Sequence, residues 1–269
     1  MRKIIFFTLI ILFCFALPAF AETRLLLHCE GVQNSTTITD SAGNHTPVSR
    51  NTAKIDNNVS KWGDGSLVFG ALAYVAIPDS DDWGFFASVS TTHTVDFWAK
   101  DQDTDFPQSD DGYFGQHINT NNNYSFVKEW NNDYLHTTFW SNYVRRMYIS
   151  STPLTWADDN WHHYALVFIN GVVGVYVDGA QVDYGTWGGS QDFAAEFFIG
   201  TTNLFGAPPP SVPAAAYHGW IDEFRVTDSN DFGAVPVAGL TDTITVPTEA
   251  YDDPVLAGGS QPIVVAMLD

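Results

Sequence analysis

The stretch WHHYALVFINGVVGVYVDGAQV, Trp161 to Val182, decides how the rest of the chain is read. Tyr164 to Ile169 is apolar and rich in β-prone residues. Asn170-Gly171 then interrupts it, and both residues tolerate positive φ, the requirement of a two-residue hairpin turn. Val172 to Val177 is the return strand, and Asp178-Gly179 turns the chain again into Ala180 to Val182. The reading is a three-strand antiparallel meander.

Working outward, helical periodicity is nearly absent. Short runs of Val, Ile, Phe, Tyr, Trp and Thr recur between Gly, Asn, Asp and Pro. Strands are predicted at Arg24–Cys29, Ser66–Phe69, Tyr74–Ile77, Thr94–Lys100, Tyr124–Trp130, Tyr134–Trp140, Arg146–Ser150, Glu196–Gly200 and Gly219–Thr227. Asn131-Asn132-Asp133 reads as a hairpin loop. The acidic run Asp101 to Asp111 and the proline-stiffened Leu204 to Pro213 read as loops. Many short strands without helices predict an all-β, antiparallel two-sheet sandwich over residues 22–228. Beyond Asp228, Pro236, Pro247, Pro254, Pro262 and Gly258-Gly259 predict an extended segment, 229–269, that wraps the domain, links it to a partner, or stays mobile.

The first residues have the form of a secretory signal. Arg2 and Lys3 precede an apolar run, Ile4 to Leu17, and Ala19-Phe20-Ala21 has the small-x-small form of a cleavage site. A run of 14 residues falls short of the roughly 20 that span a bilayer. The expectation is cleavage after Ala21, a secreted or periplasmic product, and no stable membrane insertion. Cys14 would leave with the signal, so Cys29 can form no internal disulfide and is expected to be buried as a small apolar residue. The formal charge is −20 over the whole chain. Such a field repels phosphate backbones and argues against nucleic acid as a partner.

Several local patterns occur in order: LLLHCEG (Leu25–Gly31), TDSAGNHTP (Thr39–Pro47), KWGDGSLVF (Lys61–Phe69), YVAIPDSDDW (Tyr74–Trp83), TVDFWAK (Thr94–Lys100), the meander, FFIGT (Phe197–Thr201) and GWIDEFRVT (Gly219–Thr227). In this order and spacing the chain resembles the laminin-G-like jelly-roll domains of the concanavalin A-like lectin/glucanase superfamily. The resemblance covers roughly 25–228. It implies two stacked, curved antiparallel sheets. It leaves function open, because the fold serves lectins, carbohydrate-binding modules, glycosidases, adhesins and structural proteins. Cys29 stands where such domains often carry Phe, consistent with a core role.

Hydrolases on this fold commonly carry Glu-x-Asp-x-Glu, or a form one residue longer, on one strand, which aims all three carboxylates at one sheet face. The six glutamates here, Glu22, Glu30, Glu129, Glu196, Glu223 and Glu249, are too dispersed for that pattern. Adjacent Asp222 and Glu223 would face opposite ways on a regular strand. The expectation is a non-catalytic protein. His162-His163 likewise alternates across a strand and cannot grip one metal ion.

The resemblance also implies a structural calcium ion tying the first strand to the last. Carried over, Asp222 would be its carboxylate ligand, with backbone carbonyls from Glu30, Gly31 and the Gly63-Asp64-Gly65 turn, Gly65 included. The alternatives are that Asp222 caps a loop or pairs with Arg225. Asp101-x-Asp103-x-Asp105 is not an EF-hand, because Phe106 and Gly112 stand where Gly and Glu are required.

Glycan binding needs aromatic faces for sugar CH groups and polar neighbours for hydroxyls. At 15% the aromatic content is generous, and most of the tryptophans are expected in the core. Trp98, Trp161 and Trp220 fall inside fold-specific strands and are assigned to structure. Trp130, His136, Trp140 and Tyr143 lie in an asparagine-rich region and are the candidate ligand-binding residues. If Leu135 and Phe139 face the core, Trp140 shares the opposite face with His136 and Thr138, either as a binding platform or covered by a loop or the tail. The expected partner is a glycan or another surface polymer. The competing expectations are a structural or adhesive surface protein, and a hydrolase with carboxylates from separate strands.

Overall fold

The structure, a computed structural model, describes residues 22–70, 72–102, 110–129, 134–142, 144–151, 159–188, 191–202 and 215–254. Among these residues the chain forms strands and one short 3₁₀ turn at Asp81–Trp83. In chain order the strands are β1 (Thr23–Leu27), β2 (Val48–Arg50), β3 (Lys54–Asp56), β4 (Ser66–Phe69), β5 (Tyr74–Ile77) and β6 (Thr92–Asp101). Then come β7 (Asp111–Asn119), β8 (Asn122–Lys128), β9 (Leu135–Ser141), β10 (Val144–Ser150), β11 (His162–Ile169) and β12 (Val172–Val177). The last are β13 (Ala180–Thr186), β14 (Phe197–Ile199), β15 (Thr201–Thr202), β16 (Ala215–Ala216) and β17 (Gly219–Thr227).

The meander is present as β11, β12 and β13. Its turns have the geometry the residues demand: Asn170 and Gly171 sit at φ 51° and 76°, and Asp178 and Gly179 at 47° and 85°. Two positive-φ residues in succession match the twist of the flanking strands.

Every pairing is antiparallel. One sheet of eight strands runs β13-β12-β11-β6-β17-β4-β3, with β1 also on β17; another of seven runs β10-β9-β8-β7-β14-β5-β2. Their inner faces meet in one aromatic core. Phe86 stacks on Phe139 at 4.3 Å, and Phe97 packs between Tyr164 and Phe224 at 5.4 and 5.3 Å. Cys29 is buried in this core. The all-β two-sheet sandwich is therefore the architecture, and the predicted strands all fall on observed ones except where Trp130 lies outside the described residues. β2, β3, β7, β15 and β16 were not foreseen. β7 begins at Asp111, and its Gly112 and Gly115 break the β-prone pattern that marks the other strands.

The segment after Asp228 wraps. Through residue 254 it crosses the outer face of the eight-stranded sheet. Phe232, Ala234 and Ile244 cover Ala165, Val167 and Tyr176. Gln181 N–H donates to Asp242 O at 3.1 Å and Ile244 N–H to Gly179 O at 2.8 Å, which pairs the strap with the β13 edge. Pro236 can lie this close because β12 offers Gly174: a Cβ there would come within 2.8 Å of the proline ring. Tyr251 completes the strap. Its hydroxyl donates to the buried Asp96 carboxylate, and its ring lies 3.8 Å from the Arg225 guanidinium.

Candidate functional site

The strap covers one outer face of the sandwich. The other outer face, on the seven-stranded sheet, carries polar and aromatic side chains in cross-strand rows. Period-two alternation turns Leu135, Thr137 and Phe139 of β9 inward and leaves His136, Thr138 and Trp140 half-buried on the outer side. Register then aligns their neighbours. Trp140 pairs with Asn123, and Asn123 pairs with His117, so one row reads His117–Asn123–Trp140 across β7 to β9. The next reads Phe198–Gly115–Ser125–Thr138, and a third contains Val127, His136 and Ser150. Towards β5, Tyr74, Ala76 and Phe198 form a small apolar cluster on the same sheet.

Gly115 makes the middle row close-packed. A Cβ at this position would lie 2.5 Å from Tyr124 O, so only glycine fits against β8 here, and the Thr202 methyl of β15 packs over it at van der Waals distance. Ser125 and Thr138 share a hydrogen bond of 2.7 Å between their hydroxyls. His136 Nε2 lies 3.4 Å from Glu129 Oε2 and 3.3 Å from Ser150 Oγ.

The most unusual group is His117. It is only 4% exposed, yet neither ring nitrogen has a hydrogen-bond partner among the described residues. Burial pushes its pKa below the ordinary histidine value, so at neutral pH it presents one N–H donor and one lone pair. Thr202 Oγ1, on the strand that covers Gly115, is also buried and has no partner among the described residues. Each such group costs about 1–3 kcal/mol when left dry. A face that keeps them in one region is suited to a hydroxyl-rich guest, which can both donate and accept.

Of the four ligand-binding candidates, the structure places His136 and Trp140 together on this face. Trp130 and Tyr143 lie outside the described residues, as does the Asn131–Asp133 loop. His117 and Thr202 were missed. Alternation along Phe114-Gly115-Gln116-His117 was a readable signal for His117, obscured by the glycines; nothing local marked Thr202.

The calcium candidates converge elsewhere, at the turn beside β17. Asp222 is fully buried. Its Oδ2 accepts the backbone N–H groups of Lys61 and Trp62 at 2.8 and 3.1 Å, and its Oδ1 that of Glu223 at 2.9 Å. Burial pushes its pKa up to about 7 in spite of these donors. Glu30 extends its carboxylate over Gly63, and Gly65 packs against Cys29 O. Asn57 Nδ2 donates to Gly31 O at 2.9 Å and to Asp64 O at 2.6 Å. Oxygen is the donor type calcium takes, but Asp222 here caps the Lys61–Trp62 loop, Asn57 occupies Gly31 O and Asp64 O, and among the described residues no three acidic, histidine or cysteine side chains cluster as a metal site. Arg225 does not pair with Asp222; it pairs with Asp96 at 3.0 Å and Asp231 at 3.2 Å. A bulge in β17, with Glu223 at φ 50°, overturns the strict alternation expected of Asp222 and Glu223. Both carboxylates meet segments crossing the outer side, Glu223 through His28 at 2.8 Å and the Tyr251 N–H at 2.9 Å.

Two further carboxylates approach each other at the end of the sandwich. Lys128 Nζ is paired with Asp101 and lies 3.3 Å from Asp111, joining β6 of one sheet to β7 and β8 of the other. Burial pushes Asp111 up to about 6.

Comparison with known proteins agrees with this geometry. A family model described as the concanavalin A-like lectin/glucanases superfamily matches residues 69–230. No curated protein matches the chain. Among solved structures, the chain is similar to domain 4 of AbnA, a GH43 extracellular arabinanase from Geobacillus stearothermophilus, in complex with arabinotriose. That likeness has 18% identity and a TM-score of 0.56, and covers 84% of this chain and 95% of that one. It is also similar to the binding domain of botulinum neurotoxin DC in complex with SialylT, at 12% identity and a TM-score of 0.55, covering 77% of this chain and 48% of that one. The same neurotoxin domain in complex with rat synaptotagmin II gives 13% identity and a TM-score of 0.53 over 77% and 48%. The chain thus spans about half the length of the neurotoxin domains.

Proposed function

The chain belongs to the concanavalin A-like lectin/glucanases superfamily, and we propose that it is an exported, non-catalytic recognition domain that binds a glycan on the outer face of its seven-stranded sheet. The observation that carries this reading is the row His117–Asn123–Trp140, in which a half-buried indole stands two strands from a buried imidazole with no partner for either nitrogen. The indole supplies an apolar surface for sugar CH groups; His117, Asn123, Ser125 and Thr138 supply hydroxyl partners. Support for a non-catalytic role comes from the neighbours, one holding arabinotriose and the others titled binding domains. It also comes from Lys128, which is paired with Asp101 and lies 3.3 Å from Asp111, so the close carboxylates a glycosidase would need free share one ammonium.

The test is titration of the chain with neutral oligosaccharides, arabinotriose first, followed by tryptophan fluorescence and calorimetry. Trp140→Ala and His117→Leu should each weaken binding about tenfold or more while the folded signal is retained. Ordered water at His117 with no saccharide binding would remove the reading, and so would release of reducing sugar by the purified chain.

A second reading, a structural or adhesive surface protein, is favoured by the strap across the eight-stranded sheet, which turns the β11–β12 part of that face into packing. It predicts no saccharide binding at millimolar concentrations. Calcium belongs to either reading as a structural ion: Asp222 would supply the carboxylate, and Glu30, Gly31 and Gly65 the surrounding oxygens.

A further inference from the structure

On the eight-stranded sheet, where the strap ends its cover, a second group of polar atoms is buried without partners. His163 on β11, Trp98 on β6 and Asp222 on β17 are register neighbours in one row. The loop residues Lys61 and Trp62 lie over this row. Trp62 meets Trp98 edge to face at 6.2 Å, and Trp98 meets His163 at 5.2 Å. Lys61 Nζ lies 3.8 Å from the centre of the Trp98 ring and 5.0 Å from that of Trp62.

Trp62 Nε1, Trp98 Nε1 and His163 Nδ1 are all buried and have no hydrogen-bond partner among the described residues, with Trp98 4% exposed and His163 fully buried. His163 Nε2 faces Asp96 Oδ2 at 3.4 Å. The carboxylates that could have served as acceptors are engaged. Asp222 holds three backbone N–H groups, Asp178 holds the His162 ring at 2.6 Å and the His163 N–H at 3.0 Å, and Asp96 holds Arg225 and Tyr251. What remains is an ammonium stacked on an indole with two further indole N–H donors beside it. This is a donor-lined corner with a single ammonium, with Asp178 near enough to act on it through space, on a chain whose formal charge is −20.

We infer that this corner, formed by Lys61, Trp62, Trp98 and His163, is a second binding site that takes the carboxylate of an acidic sugar. A carboxylate satisfies the ammonium and the indole donors together, and the sugar ring has the Trp62 indole to lie against. The flexible Lys61 stem lets the ammonium leave the ring face and follow the carboxylate. This site lies on the opposite sheet from the His117 row and does not depend on it.

The experiment uses the purified chain in EDTA, titrated with trigalacturonic acid and, as the uncharged control, with galactotriose. Tryptophan fluorescence and calorimetry are the readouts. The acidic trisaccharide should bind at least about tenfold tighter than the neutral one. Lys61→Gln should abolish that preference. Trp98→Phe, which keeps the ring under Lys61 but removes the N–H, should weaken acid binding several-fold. Lys54→Gln removes the same charge at the far edge of the sheet and should change nothing, which separates local recognition from bulk electrostatics. Near-ultraviolet circular dichroism confirms that each variant is folded. Equal affinity for the two sugars, or full retention of the preference in folded Lys61→Gln, overturns the inference. So does a crystal structure with water alone on the three nitrogens at saturating trigalacturonate.

Discussion

Replacing Asp96 with Asn tests whether the strap is part of the domain. Asp96 is fully buried on β6. Burial alone would raise its pKa, but Arg225, His163 and Tyr251 outweigh it and hold the carboxylate below its ordinary value. The substitution removes the charge while nearly preserving shape, and it leaves a half-buried guanidinium facing an amide. Breaking one side of a buried pair costs about 3–5 kcal/mol. Arg225 keeps Asp231 at 3.2 Å, so the lower end applies, about 3 kcal/mol. At about 2–4 °C per kcal/mol for a domain of this size, Tm should fall by roughly 6–12 °C. Tyr251→Phe removes one hydrogen bond to the same carboxylate but keeps the ring on Arg225, a loss of about 1–2 kcal/mol. Because the two residues share one network, the double variant should be less destabilised than the sum of the singles, by at least about 0.5 kcal/mol. The assay is thermal and urea unfolding followed by circular dichroism. A fall of less than about 2 °C for Asp96→Asn, or strict additivity with Tyr251→Phe, would refute the claim that residues 229–254 are built into the fold through this carboxylate.

The remaining predictions concern charge, metal and packing. Hydrogen bonding to Glu223 raises His28 to about 9 against the strength of its burial. A raised histidine stabilises fully below its unfolded pKa of about 6.5 and loses that contribution as pH climbs through 9, so the unfolding free energy from urea titrations should fall between those values by up to about 3 kcal/mol; a flat profile that His28→Gln does not alter contradicts it. Burial lifts Asp111 to about 6, above its unfolded value, so this residue favours the folded state as pH drops from 7 towards 4. Asp111→Asn should remove that part of the pH dependence, seen as a smaller midpoint shift across the same window. Asp222→Ala should lower Tm more in calcium than in EDTA; equal losses would remove the calcium proposal. Gly115→Ala forces a methyl against Tyr124 O and should cost about 1–3 kcal/mol, read as a reduced urea midpoint, with weakened saccharide binding.

Local chemistry decides which of these features can be read without coordinates. Asn170-Gly171 and Asp178-Gly179 needed only their own backbone freedom to set the meander. Leu135 and Phe139 needed only period two to turn inward and send Trp140 outward. The candidate pair His136 and Trp140 follows from the same alternation within one strand. β7 was hidden because glycines dilute its pattern, and with it went His117. The β17 bulge was hidden too, because strict alternation gives no sign that Glu223 will adopt a left-handed backbone.

By itself, then, the amino-acid order determined strand identity, turn positions, the two-sheet class and the faces of individual strands, since each is a matter of a few neighbouring residues. Tertiary structure alone decided that His117, Asn123 and Trp140 stand in one row, that the strap covers one sheet and not the other, and that Lys61 comes to rest on Trp98. Those juxtapositions depend on register between strands and on segments far apart in the chain, such as Asp96 and Tyr251. Pairing of that kind is settled by the packing of the whole core.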